Sequence, residues 1–77
     1  MKTTEYFEYV RKRKDRIGIK EEWILRVIQK PEKTEIQEDG RVKKWGKITE
    51  ENKYLRVILL NDNETVHNAF FDRSYKE

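Results

Sequence analysis

Tyr54-Leu55-Arg56-Val57-Ile58-Leu59-Leu60-Asn61-Asp62-Asn63-Glu64-Thr65-Val66-His67-Asn68-Ala69-Phe70-Phe71 is the stretch whose reading decides the fold. Two runs rich in β-branched, aromatic and other apolar residues flank a polar Asn61–Glu64 segment, the signature of an antiparallel hairpin. Whether the loop holds two residues or four, Leu60 stands opposite Thr65. Leu59 then faces Val66, and Val57 faces Asn68. Side chains alternate across a strand, so Leu55, Val57, Leu59, Val66 and Phe70 fall on one face, which should carry the rest of the core. Tyr54, Arg56, Ile58, His67, Ala69 and Phe71 fall on the other, with Arg56 and His67 as diagonal neighbours able to share a ligand.

Upstream, Lys33–Glu38 and Arg41–Thr49 read as a second hairpin around Asp39-Gly40. Alternation sets Arg41, Lys43, Trp45 and Lys47 on one face and Val42 and Ile48 on the other. A two-residue turn would put Ile36 on the basic face, against its burial, so a bulge or a longer loop is required there. Before these strands the period is helical. Thr4 can cap a helix whose first turn carries Glu5 and Glu8, and Phe7, Val10, Lys14 and Ile17 recur along it as far as Gly18. A second helix, about 20–30, aligns Trp23, Ile24, Val27 and Ile28, with Trp23 expected in the core, and Pro31 stops it. The expected fold is therefore α+β, a single domain over 1–77. A helical hairpin at about 4–30 packs on one face of a four-stranded antiparallel meander at about 33–72.

Seventy-seven residues leave no room for a second core. A chain this short buries only about 60% of its unfolded surface. Without cysteine there are no disulfides or thiolate metal centres, and one histidine among scattered carboxylates argues against a transition-metal site. No cofactor is expected. No apolar run approaches the ~20 residues of a membrane span and no signal peptide is evident, so the expected location is cytoplasmic, with no membrane partner.

The net charge of +3 is unevenly spread. Residues 1–30 hold nine Lys/Arg against five Asp/Glu, and residues 31–77 hold nine against ten. Cations concentrate in Arg11-Lys12-Arg13-Lys14-Asp15-Arg16 and in Arg41-Val42-Lys43-Lys44-Trp45-Gly46-Lys47. Such patches suit a polyanion, or equally a solvated helix face and a charged edge strand. If the polyanion is RNA, Arg11 and Arg13 would meet backbone phosphates. Arg41, Lys43 and Lys47 would add charge on the sheet, and Trp45 and Tyr54 would offer rings to bases. Cleavage through the RNA 2′-hydroxyl needs a base, an acid and cations for the pentavalent phosphate. His67 could be base or acid, with Arg56, Arg41 and Arg73 as phosphate clamps. A second histidine is absent, so a lysine, tyrosine or carboxylate would have to complete the pair.

Arg16-Ile17-Gly18-Ile19, Pro31, Asp39-Gly40-Arg41, Leu55-Arg56-Val57-Ile58 and Asn68-Ala69-Phe70-Phe71-Asp72-Arg73, in that order of elements, resemble small bacterial domains related to the RelE and BrnT ribonuclease toxins of type II toxin–antitoxin systems. The likeness covers nearly the whole chain. It implies a RelE-like helix–sheet domain and metal-independent endoribonuclease action on messenger RNA, free or on the ribosome. It also implies a small cognate antitoxin as protein partner, with oligomers allowed. A non-catalytic nucleic-acid- or protein-binding module of the same fold is the alternative. Many such relatives carry a histidine early in the first helix, where this chain has Tyr6, Phe7, Glu8 and Tyr9, and many cap the second helix with Ser or Thr, where it has Lys20. The first departure removes a partner for His67.

Overall fold

A computed structural model describes residues 1–75, in the order α1 (Glu5–Val10), α2 (Glu21–Gln29), β1 (Lys33–Ile36), β2 (Val42–Ile48), β3 (Lys53–Leu59) and β4 (Val66–Phe71). The strands form one antiparallel sheet in the order β1-β2-β3-β4, as the sequence led us to expect. Both helices pack on the same face, α1 against β4 and α2 against β2 and β3. Phe7, Ile24, Val27, Ile48, Leu55, Val57, Leu59 and Val66 are almost wholly buried between the layers. Trp23 joins them at 4% exposure. No helix among the described residues is long and apolar enough to cross a membrane.

Thr4 caps α1 as its position suggests: its Oγ1 accepts the Phe7 amide N–H at 3.0 Å. The helix is much shorter than its periodicity indicates. It stops at Val10, and residues 11–17 continue as separate turns. Helical turns in a protein are held mainly by burial of their apolar face. Here burial ends at Val10; Lys14 is exposed and Ile17 is 72% exposed. The cations at 11–14 therefore decorate a turn rather than a helix end. α2 matches expectation, with Glu21 and Glu22 in the first turn and Trp23, Ile24 and Val27 buried.

Two features set the geometry of the sheet. The first is Gly46, which lies under α2: a Cβ there would sit 3.0 Å from Val27 Cγ2, so the missing side chain is what lets helix and strand approach. The second is a register shift between β3 and β4. Leu59 pairs with Val66, as expected from the loop, and the Leu60 amide donates to the Thr65 carbonyl at 2.9 Å. Ile58, however, pairs with Asn68, leaving His67 as the extra residue of a β-bulge. Every side chain after the bulge changes face relative to an unbroken ladder. Ala69 (2% exposed) and Phe71 turn toward the core, and Phe70 stands across from Arg56. Phe70 is thus not on the core face, and Ala69 and Phe71 are not on the open one.

The first hairpin takes the longer loop. Ile36 pairs with Val42, and the Gln37 amide donates to the Arg41 carbonyl at 2.8 Å. Gly40, at φ +88, makes the turn that a side chain would resist. Ile36 therefore lies on the helix side, but α2 does not reach it and it remains 74% exposed.

Candidate nucleic-acid interface

The face without helices is assembled from β2 and β3. Lys43, Trp45 and Lys47 project there opposite Ile58, Arg56 and Tyr54 respectively. Lys33 and Glu35 of β1 extend it on one side, and Asn68 and Phe70 of β4 on the other. Lys44, whose neighbours face this surface, points the other way and donates from Nζ to the Ile28 carbonyl at 3.2 Å. Three lysines in five residues are thus split two to one by strand alternation.

Asp72 organises the centre. Its Oδ2 accepts Trp45 Nε1–H at 2.9 Å and Arg56 Nε–H at 3.0 Å, with a further, shorter bond from Arg56 Nη2. Its Oδ1 accepts the Ser74 amide at 3.0 Å and the Ser74 hydroxyl at 2.6 Å. Burial alone pushes the Asp72 carboxyl up. The bonds from Ser74, Trp45 and Arg56 outweigh that and hold it well below the usual carboxylate range. Nothing in the sequence of Asp72-Arg73 singled out this role; the Arg56–Asp72 cross-strand relation needed the shifted register.

The aromatic residues stack around this carboxylate. Trp45 is only 5% exposed: Tyr75 lies on it, with centroids 5.4 Å apart and planes 18° from parallel, and the Arg56 guanidinium is 5.3 Å from its centroid. Tyr75 also meets Tyr54 at 4.7 Å. The outer surface is accordingly presented by Tyr75 and Tyr54, with Trp45 beneath. Arg56 further spans to the Phe70 ring at 5.0 Å.

The cations differ in how they are engaged. Among the described residues Lys43 and Lys47 have no carboxylate in ion-pair contact, whereas Lys33 reaches Glu35 at 3.9 Å and Arg41 reaches Asp39 at 3.6 Å, both on exposed side chains. Exposed pairs of this kind stabilise by about 0–1 kcal/mol and yield readily to a competing anion. Arg11 is placed elsewhere, between the helices, with Nη1 3.1 Å from Glu8 and Nη2 3.6 Å from Glu21. Arg13 pairs with Asp15 at 3.7 Å in the turns after α1. Neither lies on the open sheet face. Arg73 is exposed just beyond β4.

His67 is not beside Arg56. As the bulge residue it turns to the N-terminus of α1, where Nδ1 is 3.1 Å from Thr4 Oγ1 and the ring stacks on Tyr6 at 4.9 Å. The chain before α1 closes over the same edge: the Thr4 amide donates to the Val66 carbonyl at 3.0 Å and the Val66 amide to the Lys2 carbonyl at 2.9 Å. Desolvation, with the positive charge of nearby Arg41 adding to it, lowers the His67 pKa below its ordinary value, so the ring is neutral at neutral pH. Thr4 Oγ1 can accept from an Nδ1–H or donate to a bare Nδ1, which leaves Nε2 as lone pair or N–H donor respectively. One extra residue in β4 cancels the diagonal relation expected between His67 and Arg56.

No family model, curated protein or solved structure matches this chain.

Proposed function

We propose that this chain is an RNA-binding module whose contact surface is the helix-free face of the sheet. Lys43 and Lys47 supply charge that no described carboxylate holds in an ion pair, although Glu35 stands across the ladder from Lys43 and Glu32 accepts the Lys47 amide. Arg41 and Lys33 supply charge held by exposed pairs, and Tyr54 with Tyr75 offers rings to unstacked bases. The single observation that carries this reading is the conjunction on one face: lysines outside any ion pair among the described residues border an aromatic cluster locked in place through Asp72. Arg56 has a supporting part, since its guanidinium is committed to Asp72 and lies between the Trp45 and Phe70 rings.

Anisotropy of a labelled single-stranded RNA, titrated at several salt concentrations, tests this. Affinity should fall steeply with salt, and each phosphate contact contributes about 0.7 to the log–log slope for a single strand. Lys43→Ala with Lys47→Ala should flatten that slope by about two contacts' worth and weaken binding regardless of base sequence. Binding that ignores both salt and these substitutions would remove the reading.

A second reading, a metal-independent endoribonuclease toxin restrained by a small antitoxin, draws support from the His67 ring, held at Thr4 and Tyr6 and favoured in its neutral form first by desolvation and then by the charge of Arg41. In the tautomer with Nδ1–H donating to Thr4, Nε2 carries the lone pair that a base for the 2′-hydroxyl requires, and Arg41 would meet the phosphate. RNA incubated with the protein in chelator should then be cut, His67→Ala should abolish the cut, and Arg56→Ala should act through folding rather than chemistry. Intact RNA and unimpaired growth after induction would leave binding alone.

A further inference from the structure

Where β4 ends, a second group of cations stands apart from the sheet face. A cleft of about 310 Å³ opens there, lined by Asp15, Arg16, Lys53, Phe70, Phe71 and Arg73. Lys53, Phe71 and Arg73 also border an adjoining cleft of about 270 Å³. The register pairing Leu55 with Phe71 continues through the Asp72 amide, which donates to the Tyr54 carbonyl at 2.8 Å, and so brings Arg73 opposite Lys53. Like charges directly opposed across a ladder are destabilising. Among the described residues the nearby carboxylates do not relieve them: Asp15 is engaged by Arg13 and Arg16, and Asp72 by Arg56. An anion between Lys53 and Arg73 would.

Arg16 supplies a prepared surface beside these cations. Its Nη1 donates to Asn68 Oδ1 at 2.8 Å, its Nε lies 3.4 Å from Asp15, and its guanidinium sits 5.1 Å from the Phe70 centroid. The Arg16 side chain is 17% exposed, and that exposed part lines the cleft beside Phe70, where a cationic, planar group can meet a nucleobase.

We infer that this cleft takes a nucleoside monophosphate unit, its phosphate between Lys53 and Arg73 and its base on the guanidinium of Arg16. The inference deepens the RNA-binding reading, on which it rests for the source of the nucleotide; the site's chemistry is its own. The unit is either a free nucleotide or the phosphorylated end of a strand lying on the sheet.

Amide chemical shifts of the intact protein test it, with AMP, adenosine and inorganic phosphate as probes. AMP at millimolar concentration should shift the resonances of Lys53, Phe70, Phe71 and Arg73 saturably. Phosphate should shift a subset more weakly, and adenosine should have little effect. Lys53→Ala and Arg73→Ala, both at exposed positions, should each weaken AMP about tenfold, Arg73→Lys should recover part of the loss, and Lys30→Ala should change nothing. Tighter binding of a short RNA with a terminal phosphate than of its dephosphorylated form identifies a strand end. Equal binding alongside the AMP shifts identifies a free nucleotide. Absence of AMP shifts, or shifts that persist in Arg73→Ala, overturns the site even if RNA still binds through Lys43 and Lys47. AMP binding without any RNA binding overturns the sheet-face reading instead.

Discussion

Replacing Asp72 by Asn is the most demanding test of how the open face is built. The carboxylate is 8% exposed and accepts from Trp45, Arg56 and Ser74 through both oxygens. Asn offers one acceptor oxygen, so its amide nitrogen must face either the Ser74 donors or those of Trp45 and Arg56. It also leaves the Arg56 guanidinium without its counter-charge. Charged hydrogen bonds contribute about 1.5–3 kcal/mol each and breaking a buried pair costs about 3–5; with the amide oxygen keeping some bonds, a loss of about 2–4 kcal/mol follows. A chain of this length has about 4–12 kcal/mol in total, so the variant should be visibly marginal. Urea unfolding followed by tryptophan emission should show the midpoint falling by about 2 M or more at a slope near 1 kcal/mol/M. The pH dependence has a fixed sign. The folded-state pKa lies below the unfolded value of about 3.9, so the stabilisation is complete above that value and is lost as pH falls through the folded one. The gap between wild type and Asp72→Asn should therefore shrink in acid. Arg56→Met should be costly in wild type and much less so with Asn at 72, a coupling of about 1–3 kcal/mol. A midpoint unchanged to within about 0.5 kcal/mol, or additive single effects, would refute the claim that Asp72 holds this face together.

Three further outcomes are expected. Gly46→Ala should lose about 1–3 kcal/mol in thermal or urea unfolding, because its Cβ meets Val27 Cγ2 at 3.0 Å, and Val27→Ala in the same chain should return part of it. His67 should titrate by NMR below 6.5, and Arg41→Ala should raise its midpoint. Because folding favours the neutral ring, its contribution is complete above the unfolded pKa and is lost as pH falls toward the folded one, a slope that His67→Gln should remove. Tyr75→Ala should uncover Trp45, shifting its emission to longer wavelength and admitting acrylamide, while Tyr75→Phe should preserve the shielded state.

Several elements of the fold are legible because their signals are local. The Thr4 cap, the Pro31 stop, the Leu60–Thr65 pairing and the alternation from Arg41 to Lys47 each depend on residues within a few positions of one another. The length of α1 was not legible from periodicity, because Lys14 and Ile17 keep helical spacing yet meet nothing that would bury them. Among the candidate site residues, Lys43, Lys47 and Tyr54 do share the open face, and Trp45 is there but covered. Arg11 and Arg13 are drawn to Glu8, Glu21 and Asp15 instead.

By itself, the sequence determined the number and order of strands, the helical layer over one face and the cationic composition of the other. Those follow from hydrophobic period and turn chemistry, which act over short separations. Only the tertiary structure decided which side chains meet after Val66. A single extra residue at His67 reverses the faces of everything beyond it, exchanging an Arg56–His67 neighbourhood for an Arg56–Asp72 one and sending the histidine to the cap of α1. That shift brings Ala69, rather than Phe70, into the space beneath α1. Packing in three dimensions, with no counterpart in local periodicity, fixes where a bulge falls.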